Sequence, residues 1–200
     1  MHKNAASNFS RIKVVIFVTQ NINKFNEARR VLAKHGLAIG MLKLETIEVQ
    51  SDNLETIAKT RVIDAVQKCN LQVIVEDAGL FIEALNGFPG PYAAYAYKTI
   101  GNRGVLKLME NMDKRNAYFK SVIAFYSPKQ KEPICFHGIV EGKIIKEVRG
   151  KGGFGFDPIF MPFKGDGRVF AEMEIDRKNT LSHRAKALTS FAKWYKSALR

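Results

Sequence analysis

The segment IKVVIFV, Ile12 to Val18, is a near-continuous run of β-branched and apolar side chains. Such a run reads as a strand buried on both faces. TQNINK, Thr19 to Lys24, breaks it. Phe25, Ala28, Val31 and Leu32 then recur at helical spacing, and Gly36 offers a stop. Buried strand, polar loop and helix in succession point to an α/β layer arrangement.

The rest of the chain extends that pattern. Ile39 to Val49 reads as a second strand region. Leu54 to Cys69 reads as a helix with Leu54, Ile57, Ala58, Val62, Ala65 and Val66 on one face. Val73 to Val75 is a short buried strand that ends in Glu76 and Asp77, and Leu80 to Leu85 is a candidate short strand. NGFPGP, Asn86 to Pro91, is dense turn chemistry. Tyr92 to Met112 reads as helical in two pieces, broken near Gly101. Ala117 to Tyr126 and Ile134 to Val140 flank SPKQKEP as a hairpin, and Gly142 to Val148 is a further strand candidate. Leu181, Ala185, Leu188, Ala192, Tyr195 and Leu199 stripe the last helix. Such a stripe serves inward packing or a dimer seam equally well. The expectation is a polar extension, residues 1–11, and one domain, residues 12–200. That domain is α/β, an elongated mixed β-sheet flanked by helices, in two lobes around a central cleft.

Composition narrows the classes. The chain has 200 residues, 46% of them hydrophobic, enough for one sizeable core. No run of about 18 apolar residues is present, so no membrane span is expected. The first residues lack the apolar core of a secretory signal. Cys69 and Cys135 are far apart without metal-type spacing, which fits reduced thiols in the cytoplasm. The net charge of +13 suits nucleic acid, a pocket for a small polyanion, or a solvated basic surface. The positive charges are spread along the chain without a dense block, which weakens the nucleic-acid reading.

Four constellations could carry chemistry. Thr19, Asn21 and Lys24 lie where a strand passes into a helix. A helix N-terminus with neutral donors and a cation can hold phosphate oxygens, although an ordinary N-cap explains them equally. Glu76 and Asp77 follow a buried strand, and Glu48 ends an earlier one. Carboxylates at strand ends can ligate Mg²⁺, or one can take a proton from an attacking water. Ala78-Gly79 reads as a tight turn holding Asp77 at the sheet edge. GKGGFGFDP, Gly150 to Pro158, combines flexible backbone with Phe154, Phe156 and Asp157. An aromatic face can stack a base, Gly155 lets backbone approach it, and Asp157 can accept from a ring N–H. One of the two phenylalanines belongs in the core, and Phe154 is the choice for the ligand. Finally, Lys178, His183 and Arg184 flank the start of the last helix, where Ser182 is a natural N-cap. No serine-hydrolase triad is supported.

In order these segments read TQNINK, IEVQ, VEDAGL with ALNGFPGPY, GKGGFGFDPIF and LSHRAKAL. The set resembles the inosine triphosphate pyrophosphatase family, which hydrolyses non-canonical purine nucleoside triphosphates, over Val14 to about Leu188. The resemblance implies a two-lobed homodimer that converts a triphosphate and water to the monophosphate and pyrophosphate with Mg²⁺. It implies phosphate binding by Thr19, Asn21, Lys24 and Lys59, the last on the second helix. It implies metal-associated acids at Glu48, Asp77 and the neighbouring Glu76. Base stacking or bordering falls to Phe154, Gly155, Phe156 and Asp157, and base and phosphate reading to Lys178, His183 and Arg184. Two departures stand out. Gln20 replaces a usual glycine, and Ala78 a frequent serine.

The mechanism expected from these residues is in-line attack of water on the α-phosphorus, with Asp77 as general base and Glu48 and Glu76 positioning metal. Lys24, Lys59 and Lys178 offset the phosphate charge. Arg184 carries only donors and would favour the O6 of hypoxanthine and xanthine over the N6 amino group of adenine. The alternatives are a pyrophosphatase for other modified nucleotides and a basic single-strand-binding module. The latter leaves Glu48, Glu76 and Asp77 without a role, and no stable nucleic-acid partner is expected.

Overall fold

The computed structural model describes residues 14–198. The expected extension, with Ile12 and Lys13 of the expected first strand, lies outside the described residues. The chain runs β1 (Val14–Val18), α1 (Ile22–Ala33), β2 (Ala38–Leu42), α2 (Leu54–Cys69), β3 (Val73–Ile82) and β4 (Pro89–Gly90). Two short helices follow, α3 (Ala93–Thr99) and α4 (Gly101–Leu108). Then come β5 (Asn116–Tyr126), β6 (Ile134–Ile144), β7 (Phe160–Pro162), α5 (Ile175–Lys178) and α6 (His183–Ala198).

The strands form one seven-stranded sheet in the order β2-β1-β3-β5-β6-β7, with β4 pairing β3 off this path. β1 lies parallel to β2 and β3, and the other pairs are antiparallel. The fold is therefore the expected α/β class with a mixed sheet flanked by helices. Among the described residues no helix is long and apolar enough to cross a membrane.

Core side chains gather in three clusters. Phe17, Leu32, Ile74, Phe125, Leu188 and Phe191 pack between one sheet face and helices α1 and α6. Val18, Ala58, Val62, Val73, Val75 and Val122 pack under α2 on the opposite face. Leu80, Ile82, Met109, Phe119, Ile144 and Phe160 form a third cluster at the far end of the long strands. Along one face of β3 the order is Ile74, Glu76, Ala78, Leu80, because alternate residues share a face. Apolar packing thus breaks at Glu76, between the first cluster and the third.

Three strand boundaries differ from the sequence reading. β3 runs ten residues and passes straight through Asp77-Ala78-Gly79, which is not a turn. The reason is tertiary: β5 continues the antiparallel ladder opposite, pairing Glu76 with Ile123 and Asp77 with Val122. β2 ends at Leu42, so Glu48 lies in an irregular segment and not at a strand end. β6 extends to Ile144 and absorbs the start of the separate strand expected at Gly142 to Val148.

Candidate active site

The site begins at an interruption in sheet pairing. β1 pairs with β3 only at Val73 and Ile74, and β4 only at Leu80 and Phe81. Between them, Val75 to Gly79 have a strand partner on one side only. The other side faces the loop that leaves β1, where Thr19 to Lys24 turn into α1. Asn21 caps that helix, its Oδ1 accepting from the N–H of Asn23 at 3.0 Å and of Lys24 at 3.1 Å. Thr19 is buried, and its Oγ1 accepts from the N–H of Asn21 at 3.1 Å. It shapes the loop and does not line the cleft.

A cleft of about 450 Å³ opens here, within the range of ligand sites. One end is polar, with Asn21, Asn23 and Lys24 beside Ala78 and Gly79 of the unpaired β3 edge. The other end is aromatic, with Phe154, Tyr97 and Phe119. Phe154 is half-buried, with Lys178 Nζ 4.8 Å and Arg184 Cζ 5.4 Å from its ring centre. Phe156 is buried in the third cluster, edge-on to Tyr97.

Below the cleft lies a buried ionic network. Lys178 Nζ reaches Glu27 Oε1 at 2.7 Å and Asp157 Oδ2 at 2.5 Å. Arg184 pairs through Nη1 with Glu27 and through Nε with Glu76 Oε1 at 2.9 Å. Lys24 Nζ lies 3.2 Å from Glu76 Oε2, and Ser121 Oγ donates to Glu76 Oε1 at 2.8 Å. Three carboxylates therefore face three cations. Burial alone would push Glu76 up, but Arg184 and Lys24 outweigh it and hold its pKa below the usual carboxylate range. Glu27 is lowered on the same terms by Arg184 and Lys178.

His183 stacks on Phe119 at 4.7 Å and is buried, with Nδ1 bonded to no described residue. Burial, and then the Arg184 charge, lowers its pKa well below the usual histidine value, so its imidazole is neutral. Its position depends on Gly138 of β6. A Cβ there would sit 2.0 Å from the His183 carbonyl oxygen, so only glycine lets the start of α6 lie on the strand. Gly153 has a similar part: with φ of 67°, it leaves room for the Asp157 carboxylate.

Asp77 lies on the opposite sheet face from Glu76, as strand alternation requires. Arg61 Nη1 donates to its Oδ1 at 2.9 Å and lies 3.4 Å from Glu48 Oε1. Asp77 Oδ2 is buried and bonds no described residue. Burial raises the pKa of Asp77, with Arg61 opposing. The segment carrying Glu48 is tethered to α2, since Asp64 accepts from the N–H of Ile47 and Lys68 donates to the carbonyl of Glu45.

Several sequence expectations need correction. Lys59 does not face this region. It pairs with Glu55 at 2.6 Å, and Glu55 meets His137 of β6 at 3.1 Å. Two positions on a helix are about 200° apart, so Arg61, not Lys59, reaches Asp77. Glu48, Glu76 and Asp77 do not converge: the described residues contain no cluster of three metal-type ligands. Asp157 does not offer Oδ2 to a base, because that oxygen holds Lys178 and accepts from the N–H of Phe154 at 2.8 Å. Arg184 is no free fork, because Glu27 and Glu76 both pair with it. Glu27, Arg61 and Ser121 were missed. Glu27 stands one turn before Val31 on the buried face of α1, and Arg61 one turn before Ala65 on that of α2. A charge on an apolar stripe was the available signal.

Fold and cleft together define an α/β protein with a nucleotide-sized, half-aromatic site at an unpaired strand edge. The chain belongs to the Ham1 family, which it matches over residues 15–194, and is an enzyme of that family. It is 48% identical to the dITP/XTP pyrophosphatase of Methanopyrus kandleri, across 92% of this chain and 96% of that one. It is 47% identical to the dITP/XTP pyrophosphatase of Thermococcus kodakarensis, across 92% and 98%. The fold superposes on the Ham1 protein of Coxiella burnetii with a TM-score of 0.80, at 30% identity over 93% and 100% of the chains. The Staphylococcus aureus Ham1 protein gives 0.79 at 28% identity, with the same coverage.

Proposed function

We propose that the protein hydrolyses non-canonical purine nucleoside triphosphates, dITP, XTP and ITP, to the monophosphate and pyrophosphate. One observation carries the reading: the cleft joins an aromatic slot to a helix N-terminus and a lysine across the unpaired edge of β3, at Ala78 and Gly79 next to Asp77. The base lies against Phe154. The phosphates run past the N–H groups of α1 and Lys24, over the unpaired edge, to the face that holds Asp77 and Arg61. Water attacks the α-phosphorus, with Asp77 as general base. Arg61 takes the phosphate-facing part that the family resemblance assigns to Lys59. At the base, Arg184 and the neutral His183, both lining the cleft, read the purine edge. O6 accepts from the arginine, whereas adenine would set donor against donor.

Mg²⁺ belongs to the proposal. Asp77 Oδ2, buried without a donor, and Glu48 beside the same arginine fit a cation that needs only one or two carboxylates besides phosphate and water. Bound there, Mg²⁺ would offset charge on the pyrophosphate leaving group. Glu76 sits on the other face and orients Lys24 and Arg184 instead. A homodimer in the cytoplasm completes the reading. Exposed aromatics on α3, with Tyr95 71% exposed, and free half-buried thiols at Cys69 and Cys135 are compatible with it.

The test is pyrophosphate release from ITP, dITP, XTP, GTP and ATP, with Mg²⁺ and with EDTA. Release from the first three that EDTA abolishes is expected. Asp77→Asn should keep nucleotide binding while turnover falls about 10²–10⁴-fold. No release from any triphosphate would overturn the function, and wild-type turnover in Asp77→Asn would overturn the base.

A further inference from the structure

We propose that Asn102 is a positioning residue for the base slot, acting through the backbone of Gly155. The inference rests on the nucleotide reading above. Asn102 lies in the first turn of α4, just past the bend at Gly101 that separates α3 from α4. Its Nδ2 donates to the Gly155 carbonyl at 3.2 Å. Its Oδ1 is buried and bonds no described residue. A buried amide satisfied at one end costs stability, and a leucine of similar size would avoid that cost. Packing alone therefore gives no reason for an amide here. The bond to Gly155 does.

Gly155 stands between the two phenylalanines. Phe154 faces the cleft, and Phe156 anchors the loop in the third core cluster. Gly155 has a positive φ of 60°, and a Cβ there would meet nothing within 4 Å. A glycine backbone is the least restricted of any residue, and a change in its torsions would move Phe154 relative to the slot. Two ties oppose this. From inside the loop, Asp157 Oδ2 accepts from the N–H of Phe154, and the N–H of Asp157 donates to the Phe154 carbonyl at 3.2 Å. From outside, Asn102 holds the Gly155 carbonyl. Tyr97 of α3 adds an edge contact on Phe156 with centroids 5.6 Å apart. The α3–α4 pair thus grips the loop directly after the stacking residue. Asn102 does not line the cleft, so it sets the slot without touching the base.

The experiment uses Asn102→Leu in the full chain, with steady-state kinetics on dITP and amide hydrogen exchange of the free protein. KM should rise about fivefold, the factor one ordinary hydrogen bond represents, with kcat within about twofold. Exchange across residues 153–157 should quicken while global unfolding stability holds or rises. In a Phe154→Ala background the same change should leave KM where Phe154→Ala alone puts it, since coupled residues are non-additive. A merely structural Asn102 would lower stability and multiply KM equally in both backgrounds, and that result overturns the inference. So does unchanged exchange at the loop, whether or not the wild type turns over dITP. A wild type that releases no pyrophosphate, yet whose loop loosens in Asn102→Leu, defeats the nucleotide reading and leaves the clamp standing.

Discussion

Glu27→Gln is the substitution whose effect the structure specifies most closely. The Glu27 carboxylate is almost wholly buried and meets two buried cations, Lys178 at 2.7 Å and Arg184. With it, three carboxylates balance Lys24, Lys178 and Arg184. Without it, one positive charge is left over among side chains that are almost wholly buried. Removing one partner of a buried pair typically costs about 3–5 kcal/mol. Against a whole stability of about 5–15 kcal/mol, that is a large fraction. Urea unfolding followed by circular dichroism should show the midpoint falling with an unchanged slope. The effect also has a pH signature. Burial pushes the Glu27 pKa up, but Arg184 and Lys178 bring it below its usual value of 4.5. A depressed folded pKa stabilises above the unfolded value and loses that advantage as pH falls through the folded one. The gap between wild type and Glu27→Gln should therefore be full at pH 7 and shrink below about pH 4.5. A loss under about 1 kcal/mol at pH 7 would refute the buried-network argument, as would a gap that stays constant into acid.

Other changes isolate single features. Phe154→Ala should raise KM for dITP by about tenfold or more, given that base stacking is worth about 1–3 kcal/mol, and an unchanged KM would remove Phe154 from the slot. Arg61→Ala should lower turnover sharply, whereas Lys59→Ala should leave it alone, since Lys59 pairs only with Glu55 at the surface; the reverse pattern would restore Lys59 to the site. Gly138→Ala places a methyl against the His183 carbonyl and the Ala187 N–H. Displacing α6 should cost about 1–3 kcal/mol and weaken nucleotide binding, and wild-type behaviour in both calorimetry and KM would show that α6 can move freely.

The sequence displays elements that local pattern decides. The apolar run at Val14 to Val18, the stripe on α2 and the SPKQKEP hairpin are each visible within a few residues. β3 is different, because its apolar pattern breaks from Glu76 to Gly79 and the ladder with β5, joined by β4 at Leu80 and Phe81, carries it to Ile82. Glu48 was misplaced for the converse reason. Its surroundings look strand-like, yet β2 stops where β1 stops, at the Val18–Leu42 pair.

Site residues divide in the same way. Asn21, Lys24 and Phe154 sit in a loop or at a helix start, where a polar or aromatic residue has little packing duty and stands out. Lys59 and Arg61 share one helix, and spacing fixes only that they face apart. Which of them meets Asp77 depends on how α2 lies on the sheet. Arg184 raises the further point that charge near a site need not be available to a ligand. Glu27 and Glu76 balance Arg184 and Lys178 before any substrate arrives, and Glu76 also balances Lys24. The interior therefore offers shape and oriented donors more than net charge. The surplus of +13 resides elsewhere on the molecule, where its action on a polyanion is long-range attraction. Attraction and recognition are thus carried by different residues. For that reason total charge could not distinguish a nucleic-acid binder from an enzyme, and the paired carboxylates could.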